Sequence, residues 1–288
     1  MRICRAYIWT LIFLGLVSLE SKGQDSPLLP EKTDSQLLNS FLLHDKSDQA
    51  LTSRLNQKFQ DHIAYLESLQ SRKKSDKAFL KSIFYKTQRR ILKNYDISAT
   101  VDETLQTGKY GCLSGTVLYA IILMHFGFEF DIVALPDHVY ILAHLDEKGI
   151  ILESTLPGEG FKESVANRTD HTQPSGSTLR TNESVVAIAG LRALEKEEEK
   201  VIEIIDLDQL RGLQHYNQAV FELKEAKLSS AYDHAALASV LYPSKRTNQV
   251  MEIIINKILQ SKDLTSELKS GILMSYISQV KKKKLTQR

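Results

Sequence analysis

The chain is poor in cysteine. It has 2, and Cys4 lies in a segment with the character of a leader. Without that leader Cys112 stands alone, which excludes an internal disulfide and a four-cysteine zinc site. Charge of one sign is also lacking. The formal net charge is +2, too small to create the field that draws nucleic acid to a surface. Beyond the N-terminus no segment matches the ~20 apolar residues that a spanning helix needs. Cys112 is left with four roles: a buried inert thiol, an intermolecular bridge, a mixed metal ligand or a nucleophile.

The first residues carry an address. Arg2 and Arg5 make a positive start, Ala6 to Leu19 is an apolar run, and Ser21 and Gly23 sit like a cleavage site within polar Glu20 to Asp25. This pattern predicts a signal peptide over 1–23 and an exported protein, periplasmic or extracellular. The alternative is a retained N-terminal anchor, the one case in which a membrane is a partner. No cysteine follows the small residues, so lipid attachment is not indicated. With 42% hydrophobic and 25% charged residues, the remainder suits one large globular domain or two modest ones.

Residues 24–95 form a polar leader followed by helices. Leu51, Leu55, Phe59, Ile63, Leu66 and Leu69 recur at helical spacing. A second helix is predicted from a cap at Ser75 or Asp76 to about Tyr95, with Phe79, Ile83, Phe84, Ile91 and Leu92 on its apolar side. Lys73, Lys74, Lys77, Lys81, Lys86, Arg89, Arg90 and Lys93 line the rest. They are read as a solvated face.

The pattern then changes. Cys112 to Phe126 is almost wholly apolar and stops at Gly127, which predicts a buried helix with a glycine C-cap. Strands are predicted over Phe128 to Leu135, His138 to Leu145 and Ile150 to Thr155, with a hairpin turn at Asp146 to Gly149. That turn brings residues near 142 opposite 153. Cys112 begins the helix, where backbone N–H groups favour a thiolate. His138 begins the second strand and Glu153 ends the third. Thiol chemistry needs a base, and an imidazole needs an acceptor that fixes its tautomer. Tyr140 shares the face of His138. Asp137 is a poorer orienter, because adjacent strand residues point to opposite faces.

Gly111-Cys112, then His138-Val139-Tyr140, then Glu153-Ser154-Thr155-Leu156-Pro157-Gly158 resembles the transglutaminase-like superfamily of papain-type cysteine enzymes. The resemblance covers Asp96 to Gly158. In that family Cys opens a core helix, His opens a strand, and an Asp follows on the next strand before a small residue and a Thr. The interval from His138 to Glu153 fits, that from Cys112 to His138 is on the short side, and Glu153 stands where Asp is usual. The resemblance implies an α+β, papain/transglutaminase-like core over 96–209 acting on amide bonds as peptidase, amidase or acyl transferase. Cys112, His138 and Glu153 are its implied catalytic residues, and no cofactor is needed. An oxyanion site is implied too, from the Cys112 backbone N–H and a side chain just upstream, either Gln106 or Tyr110; Tyr140 is a further substrate-side candidate. A zinc site of Cys112, His138 and Glu153 is disfavoured, since compact ligand pairs are missing. His125 is expected to meet only the carbonyls at its helix end, and His144 lies further along the strand of His138.

Asn167 to Asn182 is a loop by composition, either a lid or a plain connection, and Glu195 to Lys200 is a charged, solvated segment. From 210 the chain is helical. Asn217, Ala219, Ala231, Ala238 and Pro243 resemble a tetratricopeptide helix pair, with Ala226 at the turn position that prefers Gly. Met251 to Gln260 and Leu264 to Val280 form a degenerate second pair, and Lys281 to Lys284 a frayed tail. Such helices are either a cap on the core or a site for a protein partner. The combined arrangement resembles one seen in bacterial proteins. The contrasting reading is a catalytically silent scaffold that binds protein or peptide through its helices.

Overall fold

The computed structural model describes residues 32–145, 148–167, 178–179 and 202–286. The expected signal peptide, the centre of the Asp146–Gly149 turn, most of the Asn167–Asn182 loop and the charged segment from Glu195 lie outside them. Among the described residues the fold is α+β, with nine helices and a six-stranded antiparallel sheet. None of these helices is long and apolar enough to cross a membrane.

Helices α1 (Asp34–Phe41), α2 (Gln49–Gln70) and α3 (Asp76–Arg90) come first. Ser75 caps α3, its hydroxyl accepting from the Ala78 N–H. Helix α3 ends short of the expected Tyr95. The N–H groups of Lys93 and Asn94 donate instead to the Gly108 carbonyl, at 2.8 and 3.1 Å. This starts a short parallel pairing of β1 (Asn94–Tyr95) with β2 (Lys109–Tyr110). Between them lies α4 (Val101–Thr107).

Helix α5 (Cys112–His125) is the centre of the core. Every residue from Val117 to Leu123 has 0% exposure, as expected of a helix apolar on all sides. Its few polar groups are used as ties. Ser114 Oγ accepts from Thr104 Oγ1 at 2.9 Å and from the Gly111 N–H at 3.1 Å. Thr116 Oγ1 donates to the Val139 carbonyl at 3.1 Å, and Tyr119 Oη to the Phe84 carbonyl at 3.0 Å. Left unmade, each would cost about 1–3 kcal/mol. The helix ends as its sequence requires. Gly127 takes φ 71°, its N–H donates to Met124, and the Phe128 N–H donates to Leu123. This is the Schellman arrangement.

Strands β3 (Phe130–Ala134), β4 (Val139–Leu145), β5 (Lys148–Leu152) and β6 (Phe161–Asn167) form a meander, and β8 (Ile202–Ile205) pairs with the free edge of β3. The order is β6-β5-β4-β3-β8-β7, with β7 spanning Thr178–Leu179. Alternation divides the sheet. Val139, Ile141 and Ala143 join the core around α5, while Tyr140 joins Val133, Ile151 and Ile202 in a separate cluster. Leu142 pairs with Ile151, so the expected register, residue 142 near 153, is displaced. The strand begins earlier than Ile150 and Glu153 has already left it.

Four helices complete the chain: α6 (Leu207–Lys224), α7 (Leu228–Leu241), α8 (Lys245–Gln260) and α9 (Ser266–Thr286). Helix α9 continues through Lys281 to Lys284, where a frayed tail was expected. The α6–α7 turn is again of Schellman form, with Lys227 N–H donating to Glu222 and Ala226 at φ 58°. Ala226 therefore holds the left-handed position that glycine would favour. Helix α6 serves two cores. Leu210 and Leu213 pack with α5, whereas Ala219 packs with Ala231, Ala235, Met251 and Ile254 of α7 and α8.

Candidate active site

Cys112 is the first residue of α5 and is partly exposed. Its helix is preceded by Gly111, packed so closely that a Cβ there would meet the Asp96 and Ile97 carbonyls at 3.1 Å. No hydrogen bond to the Cys112 N–H is made by the described residues. That is the expected state of a first-turn donor without a capping side chain.

His138 and Glu153 meet directly. His138 Nε2 is bonded to Glu153 Oε2, and the side chains are 26% and 11% exposed, so the pair is sheltered yet reachable. The other carboxylate oxygen, Oε1, accepts from the Thr155 N–H at 2.8 Å and from Thr155 Oγ1 at 2.7 Å. Both oxygens are occupied, which fixes the carboxylate plane. With Nε2 engaged, Nδ1 is the imidazole nitrogen left for the thiol.

The electrostatics agree with this geometry. Burial alone pushes the His138 imidazole down. A hydrogen bond with the Cys112 side chain, the hydrogen bond and charge of Glu153, and the charge of Cys112 outweigh it. Together they raise the pKa to about 10. Tyr140 stacks near the imidazole, ring centroids 6.3 Å apart, and its phenol is pushed up to about 12 by burial and then by Glu153. Tyr110 is buried, and its phenol is raised by burial, by Glu153 and by Tyr95. Gln106 lies exposed on α4, with no hydrogen bond to Cys112, His138 or Glu153. Asp137 is exposed.

Glu153 is anchored through its own backbone and through its neighbours. Its N–H donates to the Gly160 carbonyl at 2.8 Å. The next residue, Ser154, is fully buried. Gln88 Nε2 on α3 donates to the Ser154 carbonyl at 2.6 Å, and Ser154 Oγ donates to the Cys112 carbonyl at 3.5 Å. Thr116 ties α5 to the start of β4 beside His138. Sequence reasoning gave no role to Gln88 or Thr116. Gln88 sits among residues read only for apolar spacing and lysines, and Thr116 within a run read only as core.

The other histidines are engaged elsewhere. His125 Nδ1 pairs with Asp34 Oδ2 at 2.6 Å and Nε2 with Glu67 Oε1 at 3.0 Å, where contact with helix carbonyls alone was expected. His144 Nε2 pairs with Asp131 Oδ2 at 3.0 Å. Among the described residues no group of three or more His, Cys, Asp or Glu side chains is placed to hold a metal.

No protein-family model matches the chain, and neither a curated protein nor a solved structure does.

Proposed function

We propose that the chain is an exported cysteine enzyme of transglutaminase-like type, with a papain-like core, acting on an amide bond of a peptide or protein. The observation that carries this reading is the His138 imidazole, held by Glu153 on one side and coupled to Cys112 on the other. An imidazolium beside the sulfur stabilises negative charge on it. The thiolate attacks the amide carbonyl carbon, and the carbonyl π electrons move to oxygen. The Cys112 N–H, free at the start of α5, donates to that oxyanion. His138 gives its proton to the leaving nitrogen as the C–N bond breaks, which leaves a thioester on Cys112. Water or a second amine then adds to the thioester, passes a proton to His138 and expels the sulfur. Glu153 orients the ring and offsets its charge. Gln106 and Tyr110 remain the upstream candidates for a second donor, and Tyr140 for contact with substrate.

One observation favours a second reading, a tetratricopeptide-like binding region without catalysis. Leu237 and Val240 of α7 and Ile253 and Leu259 of α8 are 47%, 63%, 47% and 48% exposed. Single-turnover acylation of Cys112 by an activated ester separates the two readings. Cys112→Ala should give no adduct, and His138→Ala should lose about 10²-fold or more in rate. Glu153→Gln should slow the reaction, since its amide presents an N–H where an acceptor is needed. The double variant should be no worse than His138→Ala, as residues acting as one unit are not additive. Equal acylation of wild type, His138→Ala and Glu153→Gln would defeat the enzyme reading and favour the binding one.

A further inference from the structure

His138 is the last residue of the loop that joins β3 to β4. Ala134 at the end of β3 pairs with Val139, and the Leu135 N–H donates to the His138 carbonyl at 2.8 Å. Leu135 to His138 make the connection, with Pro136 and Asp137 at a bend and neither at positive φ. The reciprocal bond, from the His138 N–H to the Leu135 carbonyl, is not made, so the loop that presents His138 is closed from within by a single backbone bond.

A brace reaches it from the C-terminal helices. Arg246 on α8 donates from Nη1 to the Pro136 carbonyl at 2.7 Å and from Nη2 to Tyr242 Oη at 3.0 Å. Its guanidinium lies over the rings of Tyr242 and Tyr216, 5.0 and 5.5 Å from their centroids. Tyr242 is buried, and its hydroxyl donates to Glu203 Oε2. Glu203 lies on β8 and is the register partner of Ala134 on β3. The chain of contacts thus leaves the sheet beside the turn, passes through the helices and returns to the turn. The planar guanidinium is suited to this, because its fork serves two acceptors in one fixed geometry.

We propose that Arg246 is a positioning residue for His138, by which the C-terminal helices hold the turn that presents the imidazole to Cys112. The claim rests on the reading of His138 as the proton carrier. Displacement of a catalytic group by about 1 Å costs about 10²-fold in rate, so loss of the brace should be visible in the chemistry.

The test uses the full chain and three variants. Arg246→Ala removes both donors. Arg246→Lys keeps one donor and loses the fork. Tyr242→Phe keeps the ring under the guanidinium and cuts the link to Glu203. Three quantities are measured: the acylation rate of Cys112 by an activated ester, the titration of His138 by NMR in histidine-labelled protein, and thermal unfolding. Arg246→Ala should slow acylation by about 10–10²-fold and shift the His138 titration. Arg246→Lys and Tyr242→Phe should lie between it and wild type, which also serves if Arg246→Ala does not fold. A purely structural arginine would lower the melting temperature and leave acylation and titration unchanged below it, and that result would overturn the proposal. If His138→Ala acylates like wild type, the enzymatic reading itself fails. The titration of His138 in the arginine variants then still decides whether Arg246 sets its environment.

Discussion

Gly115→Ala is the substitution that most directly probes how the site is assembled. Gly115 lies on the first turns of α5, against the segment that carries Glu153. A Cβ at this position would lie 2.5 Å from Ser154 Cβ and 2.6 Å from its Oγ. Contacting carbons settle at about 3.5–4.0 Å, so alanine demands a separation of about 1 Å. Ser154 has no room to yield. It is fully buried, its carbonyl accepts from Gln88, and its hydroxyl bonds the Cys112 carbonyl. Alanine gains about 1 kcal/mol of helix propensity over glycine, while overpacking costs about 1–3 kcal/mol. The net loss of stability is about 0–2 kcal/mol, and the protein should remain folded. Activity should suffer more, because the strain parts Glu153 and His138 from Cys112. A shift of about 1 Å predicts about 10²-fold slower acylation. Urea unfolding and single-turnover acylation measure the two effects separately. Ser154→Gly removes both clashing atoms, so the double variant should regain most of the rate. Wild-type acylation by Gly115→Ala, or no recovery in the double variant, would refute this account of the packing.

Two further outcomes concern positions remote from the site. Ala226→Gly should raise stability by about 0.5–1 kcal/mol in urea unfolding, because an alanine held left-handed costs about 1–2 kcal/mol and glycine returns part of that through its freer unfolded chain. His62 is buried, bonded to Thr87 Oγ1 at 2.9 Å, and held down to about 4 by burial and by Arg90. The unfolded chain takes up this proton first, so its contribution is present above about pH 6.5 and is lost as pH falls towards 4, in all about 3 kcal/mol. His62→Gln should flatten the slope of stability between those pH values, and an unchanged slope would contradict the assignment.

The site was legible where chemistry and periodicity coincide. A helix apolar all round could only be central, so a cysteine at its start had to sit at the edge of the core. The strand from Val139 to Leu145 is an apolar run that starts just after Pro136 and Asp137, which placed His138 at its mouth. The register was less legible. Its strand pairing depends on where the turn closes, and the early start of β5 left Glu153 beyond the sheet. There it is held by Thr155 and Gly160. The longer glutamate side chain still reaches the imidazole from that position. The supporting residues were hidden for a different reason. Gln88, Thr116 and Arg246 act through backbone carbonyls of segments distant in sequence, and nothing local distinguishes such a residue from an ordinary polar one. The order of the sheet was hidden likewise, since β8 lies between β7 and the distant β3, and the partner on its β3 side is remote in the chain.

That last pairing has a kinetic meaning. Strands β3 to β6 are consecutive, so their contacts close short loops and form early. The edge of β3 beside the Pro136–Asp137 turn stays open until β8 arrives from far along the chain. During that interval a row of unpaired N–H and C=O groups is exposed, a template for pairing with another molecule. The chain is therefore most prone to self-association after the segment that carries His138 has been made and before Ile202 to Ile205 has docked. A refolding yield that falls steeply with protein concentration would mark that window.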